Sequence, residues 1–212
     1  QSNAYYFEQR NKIFVLAPIL LSPYNSKNEQ DYIKYGFLGT TFGHEITHAF
    51  DYEGRYYDAD GNKNNWWTDD DDKDFKEASQ CFIDQYNAFS YKHNNKIYKI
   101  DGILTLNENI ADNGGLARGY DAWQRSMLKD PQKAAQRNQK LPGLSEYTLD
   151  QLFYIAYGQS NCAILPEYER NDPHSFEAAR VNVVLSNSKH FAKTFNCPLG
   201  SPMNPESKCI LW

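Results

Sequence analysis

The chain has 212 residues, 41% of them hydrophobic and 23% charged, enough for one sizeable core and too little for several independent domains. Its net charge is −5 and its lysines and arginines are scattered, which excludes the basic stripe of a nucleic-acid binder. The most apolar run, nine residues from Ile13 to Leu21, holds Pro18 and falls short of the roughly 20 needed to cross a bilayer, so no membrane segment is expected here.

From the N-terminus, NAYYF and KIFVLA are β-prone runs flanking the polar turn Glu8 to Asn11, which predicts a hairpin over 3–20. The chain begins at Gln1 with neither a Met nor a basic-then-apolar leader, so it is expected to be a fragment with any targeting signal upstream. Residues 31–52 have helical length and set Tyr35, Leu38, Phe42, Ile46 and Ala49 on one stripe. After the turn-rich YYDADGNKNNWWT, Thr68 fits a helix N-cap, and the run Asp69 to Asp72 fits the first turn, where carboxylates meet the positive end of the helix dipole. The alternation Asp58, Asp60, Asn62 hints at a calcium loop, but Lys63 stands where such a loop needs glycine.

Further helices are predicted over 104–127, where Gly114 and Gly115 would let something approach closely, over 148–162, and over 174–186. A Cys- and Pro-rich tail follows. Cys81, Cys162, Cys197 and Cys209 form no Cys-x-x-Cys pair, so disulfides fit better than a zinc ribbon or redox motif. The terminal CILW is a poor prenylation box because Trp is not a usual last residue.

The chemistry centres on GHEITHAFD. On a helix, residues i and i+4 lie one above the other, so His44 and His48 can aim imidazole nitrogens at one cation, with Glu45 near enough to take a proton from a metal-bound water. A third ligand is required. The metzincin pattern would place a histidine six residues after the second, but Gly54 is there. NENIADNGG instead supplies Glu108, completing a His₂Glu zinc set that leaves a fourth position open, as catalytic zinc sites do. Asp112, one helical turn on, can accept the free ring N–H of a ligating histidine, and Asp51 competes for that role. Without the histidine helix, Glu108 and Asp112 would read as a solvated acidic face.

Five motifs in order carry a resemblance along the whole chain. NAYY at Asn3, GHEITHAFD at Gly43, ENIADNGG at Glu108, the His174–Ser175 pair followed by Arg180, and a terminal Cys-x-x-Trp together resemble the neprilysin family of zinc metallopeptidases, which includes the endothelin-converting enzymes. The resemblance implies an α+β, predominantly α-helical, thermolysin-like catalytic domain with a small N-terminal β-hairpin or sheet. It implies one zinc ion held by His44, His48 and Glu108, with Glu45 as general base and Asp112 orienting a ligand. His174 would donate to the oxyanion and Arg180 would bind a substrate carbonyl. Asn3 and the Ala4 backbone would hold an extended peptide, while Ile19 and Tyr24 would line the pocket for a hydrophobic residue on the amino side of which cleavage occurs. Tyr24, where neprilysin has Phe, and Thr41, in place of an aliphatic residue, leave that pocket's preference open.

The same resemblance pairs Cys81 with Cys209 and assigns Cys162 and Cys197 to cysteines in a missing N-terminal part of the protein. It also implies a second helical domain closing the cavity over short peptide substrates, and an extracellular location, either as a type II membrane ectodomain or secreted. The competing expectation is a non-catalytic or incomplete zinc-binding domain that needs the missing region for activity.

Overall fold

The computed structural model describes residues 3–21, 26, 29–162 and 172–211. Strand β1 (Ala4–Phe7) pairs antiparallel with β2 (Lys12–Val15), with Ala4 opposite Val15. Asn11 closes their turn in the left-handed region at φ 47°, a conformation asparagine tolerates, and the Tyr6 hydroxyl donates to its side chain. The expected second strand stops at Val15, because Pro18 sits in the first turn of a short helix, α1 (Ala17–Leu20). No further strand pairs with β1 among the described residues, and on its other edge the Tyr6 backbone N–H meets Glu45.

The expected helix over 31–52 is a continuous run of four segments. It comprises α2 (Asp31–Lys34), a π-helical turn (Tyr35–Gly39), α3 (Thr40–Thr47) and a 3-10 turn (His48–Phe50). The apolar stripe is buried only in part: Leu38 is buried, but beyond it Ile46 is 49% exposed, whereas Thr40, Gly43, His44, Glu45 and Thr47 are buried. The π turn accounts for this, since each inserted residue rotates the following face by about 100°. The chain leaves the helix at Asp51, whose ψ of −172° is extended.

Thr68 caps α4 (Asp69–Ala88) as expected, accepting from the Asp71 N–H. In the loop before it, one oxygen of Asp58 accepts from the backbone N–H groups of Asp60 and Asn62, a self-capped turn. A second hairpin that the sequence reading omitted, β3 (Ser90–His93) and β4 (Lys96–Lys99), turns through Asn94 and Asn95, both at positive φ.

Helix α5 (Leu106–Lys129) passes through Gly114 and Gly115 unbroken and lies between two apolar clusters. Leu116 and Trp123 enter one with Tyr32, Phe153 and Tyr154, where the Trp123 and Phe153 rings stack at 5.3 Å. Leu106 and Ile110 enter the other with Phe75, Phe82 and Val183. Each such buried side chain contributes about 1.5–3 kcal/mol relative to exposure, so α5 is the beam of the fold.

Helix α6 (Pro131–Arg137) was also unforeseen; Asp130 caps it and Pro131 opens it. Thr148 and Gln151 form a capping box at the start of α7 (Leu149–Ser160). The last expected helix begins later than 174: α8 runs Glu177–Asn187, followed by α9 (Lys189–Thr194). Phe176 is extended at ψ 155° and held among Phe89, Tyr91 and Tyr98, which leaves His174 in the preceding loop. Cys81 and Cys209 are disulfide-bonded, tying α4 to the C-terminal tail. Cys162 is exposed and Cys197 half-buried, both as free thiols. Tyr24 and Trp212 lie outside the described residues.

Candidate metal centre

Close approach of α3 and α5 builds the site, and small residues permit it. A Cβ on Gly43 would lie 2.8 Å from the Gly115 carbonyl oxygen, and one on Gly115 would lie 2.7 Å from the Thr40 carbonyl oxygen and 2.9 Å from the His44 nitrogen. Gly114 faces Thr47 at similarly short range. The backbones therefore touch, and the carboxylates of Glu108 and Asp112 on α5 reach the histidines on α3.

One donor atom from each of His44, His48 and Glu108 lies within 4.8 Å of the others. The two Nε2 atoms are 3.0 Å apart, and Glu108 Oε2 is 3.1 Å from His44 Nε2 and 3.7 Å from His48 Nε2. The far nitrogens each have their own carboxylate. His44 Nδ1 is 2.9 Å from Asp112 Oδ1, and His48 Nδ1 is 2.7 Å from Asp51 Oδ2. Asp112 and Asp51, weighed as rivals in the sequence, thus serve different rings. With each Nδ1–H donating to its carboxylate, both Nε2 lone pairs converge with a buried Glu108 oxygen that accepts no hydrogen bond. Three convergent acceptors of this kind fit a zinc ion.

The electrostatics agree that positive charge belongs here. Burial works against a charge on His44, but Asp112 and then Glu108 outweigh it and raise the imidazole to about 9. Burial also opposes ionisation of Glu108, yet His174 and His44 hold its carboxyl well below the usual range. Asp112 is likewise held low against burial, chiefly by Arg180. A metal ion held by His44, His48 and Glu108 would take the place of the proton that these carboxylates draw onto His44.

Glu45, 5% exposed, lies beside the histidines; burial raises its pKa, which the histidines and the Tyr6 backbone N–H partly offset. His174 approaches from the loop before α8, its Nε2 3.2 Å from Glu108 Oε2. Asp172 orients it, accepting from the His174 backbone N–H at 2.8 Å and contacting Nδ1 at 2.9 Å. Glu108 raises the His174 pKa against partial burial, and Asp172 adds to that rise. Ser175 donates to Asn109 of α5 at 2.7 Å, fixing the loop to the helix that bears Glu108. Arg180 donates through Nε and Nη2 to the two oxygens of Asp112, at 2.8 and 2.7 Å.

A cavity of about 430 Å³ opens over these groups. Asn3, Ala4 and Ile19 line it together with His44, Glu45, His48, Glu108, Asp112, His174 and Arg180, while Asp51 lies behind His48, outside the lining. Tyr157, Ser160 and Asn161 at the end of α7 also line it and were missed, since nothing local marks them. Asp172 was missed too, although an aspartate two residues before a histidine is a recognisable local brace.

A family model described as Peptidase family M13 matches residues 3–211. Endothelin-converting enzyme 1 of Rattus norvegicus is 41% identical over 99% of this chain and 27% of its own length. Neprilysin-11 of Caenorhabditis elegans is 37% identical over 99% of this chain and 24% of its own. The chain thus spans about a quarter of the length of the curated relatives it matches. Among solved structures, the Mycobacterium tuberculosis zinc metalloprotease Zmp1, in complex with an inhibitor, superposes with a TM-score of 0.80 at 32% identity, over 92% of this chain and 30% of that one.

Proposed function

The chain belongs to peptidase family M13, and from that premise we propose that it is the catalytic domain of a zinc-dependent endopeptidase, the C-terminal part of a larger ectodomain, that hydrolyses short peptides. The observation that carries the proposal is the convergence of His44, His48 and Glu108 on one point with Glu45 beside it.

In this reading His44, His48 and Glu108 hold one zinc ion. When bound, zinc supplies a Lewis acid that makes water deprotonable near neutral pH and polarises the scissile carbonyl. Glu45 takes a proton from water and returns it to the leaving amine; its burial keeps the carboxyl poised for both transfers. His174, braced by Asp172, donates to the oxyanion, a contribution worth about 10²–10³ in rate for one such donor. Asp112 holds the ring of His44, and Arg180 both pairs with Asp112 and faces the cavity where a substrate carbonyl would lie.

The edge of β1 away from β2 offers its backbone to an extended peptide, with the Asn3 side chain and the Ala4 backbone as the anchoring groups. Ile19 and Tyr24 contribute to a pocket for a hydrophobic residue, cleavage falling on its amino side. The protein acts outside the cell, anchored or secreted, and Cys162 and Cys197 pair with cysteines in the remaining part of the polypeptide. The exposed thiol of Cys162 supports that pairing.

Metal analysis combined with hydrolysis of a quenched short peptide, with and without chelator, tests the reading. About one equivalent of zinc and chelator-sensitive cleavage are expected. Zinc without cleavage would favour an incomplete zinc-binding domain that needs the rest of the polypeptide, and absence of zinc would reject the proposal.

A further inference from the structure

The segment between His48 and α4 carries a buried cation that ties it to α4. Arg55 is fully buried. Its Nη1 lies 2.6 Å from Asp72 Oδ1 in the first turn of α4, and its Nη2 donates to the Tyr56 hydroxyl at 2.7 Å. The guanidinium carbon is 4.4 Å from the Tyr56 ring centre and 4.5 Å from that of Phe75, with Tyr52 and Trp67 at 5.4 and 5.5 Å. A cation clasped by four rings and a carboxylate is far more than a 3-10 turn of three residues, Gly54–Tyr56, needs to hold its shape.

What that turn presents is Asp51. One oxygen of Asp51 accepts from the backbone N–H groups of Gly54 and Glu53, at 2.7 and 2.9 Å, while the other contacts His48 Nδ1. The Arg55 N–H returns to the Asp51 carbonyl at 3.3 Å. The turn is also pressed against the helix, since a Cβ on Gly54 would collide with the carbonyl oxygen of His48. Tyr52 N–H donates to the side chain of Asn107, the neighbour of Glu108. A displacement of Arg55 would therefore shift Asp51 against His48, and the same short segment touches the start of the helix that carries Glu108.

We infer that Arg55 is a positioning residue for the metal centre: anchored by Asp72 and Tyr56, it holds Asp51 where it orients His48. This rests on the zinc reading above, and it adds a line of contact from α4 through Arg55 and Asp51 to His48.

The test measures the zinc dissociation constant of the intact protein by competition with a chromophoric chelator, at a temperature where circular dichroism shows every variant folded. Asp72→Asn removes the anchoring charge and is expected to weaken zinc binding by about tenfold or more. Tyr56→Phe removes only the hydroxyl contact and is expected to weaken it less; it reads the same linkage should Asp72→Asn fail to fold. Lys76→Met, which removes the exposed second partner of Asp72 at 2.6 Å, should leave zinc binding unchanged. In an Asp51→Asn background, Asp72→Asn should cause little further loss, because both act on His48 by one route. A role confined to stability would lower the melting temperature while the folded variants bound zinc as tightly as wild type, and that result, or full additivity with Asp51→Asn, overturns the inference alone. A wild-type protein that takes up no zinc overturns this inference together with the proposed function.

Discussion

Gly43 and Gly115 meet backbone to backbone across α3 and α5, so close that a Cβ on Gly115 would lie 2.7 Å from the Thr40 carbonyl oxygen and 2.9 Å from the His44 nitrogen. Both obstacles are main chain, so no side chain can swing aside. Gly115→Ala should therefore push the helices apart, costing about 1–3 kcal/mol of overpacking, partly offset by the ~1 kcal/mol that alanine gains over glycine in a helix. Because Glu108 and Asp112 ride on the displaced helix, zinc content should fall along with the melting temperature. Thermal unfolding and metal analysis of the variant check this, and a stable variant with a full equivalent of zinc would show that the glycine contact does not set the ligand spacing.

Glu45→Gln keeps the size of the side chain and removes its basicity. Glu45 is not among the three convergent donors, so zinc should remain bound while peptide hydrolysis falls at least about 10²-fold, the scale of a lost general base. Metal analysis beside turnover of a quenched peptide separates the two effects. Ordinary turnover in this variant would move the base to another residue.

The proposed metal ligands were legible because each lies in a local repeat: His44 and His48 four apart on one helix, Glu108 and Asp112 four apart on another. The Thr68 cap was legible for the same reason, being followed three residues later by the N–H it accepts. The hairpin at 90–99 was not, since its strands are four residues each and laced with lysine, although Asn94–Asn95 is turn chemistry. The π turn at Tyr35–Gly39 carries no distinguishing residue, and beyond it the stripe's Ile46 faces solvent. Long-range pairings with no motif behind them were illegible. Asp72 was read as one of four N-terminal carboxylates, and nothing in the run reveals that it alone reaches a buried arginine 17 residues away.

Asp112 joins the buried imidazole of His44 and the half-buried guanidinium of Arg180. Asp112→Ala strands the arginine without its counter-ion and frees the ring, so two losses are expected: on the order of 3 kcal/mol of stability in the metal-free protein and about 10–100-fold in zinc affinity. Asp51→Asn, which leaves Arg180 paired, should show the affinity loss with a smaller change in stability. Denaturant unfolding with chelator present, beside chelator competition for zinc, distinguishes them. Equal stability losses in the two variants would mean that the Arg180 pair contributes little.

The Cys81–Cys209 bond closes a loop over a sequence separation of 128 residues and lies in the cluster with Phe75, Phe82 and Val183. Loop-closure entropy for that length gives about 5 kcal/mol, and removal of native disulfides typically costs about 2–5 kcal/mol. Cys81→Ser should therefore lower stability by an amount in that range. The bond lies apart from the cavity lining, so zinc affinity measured below the unfolding transition should be unchanged. Non-reducing mass spectrometry fixes which thiols are joined before the comparison is made. A Cys162–Cys197 bond in place of free or externally paired thiols would contradict the assignment of those two cysteines to the rest of the polypeptide, while Cys81→Ser with wild-type stability would mean that the packing of α4 against Cys209 already supplies what the covalent bond was expected to add.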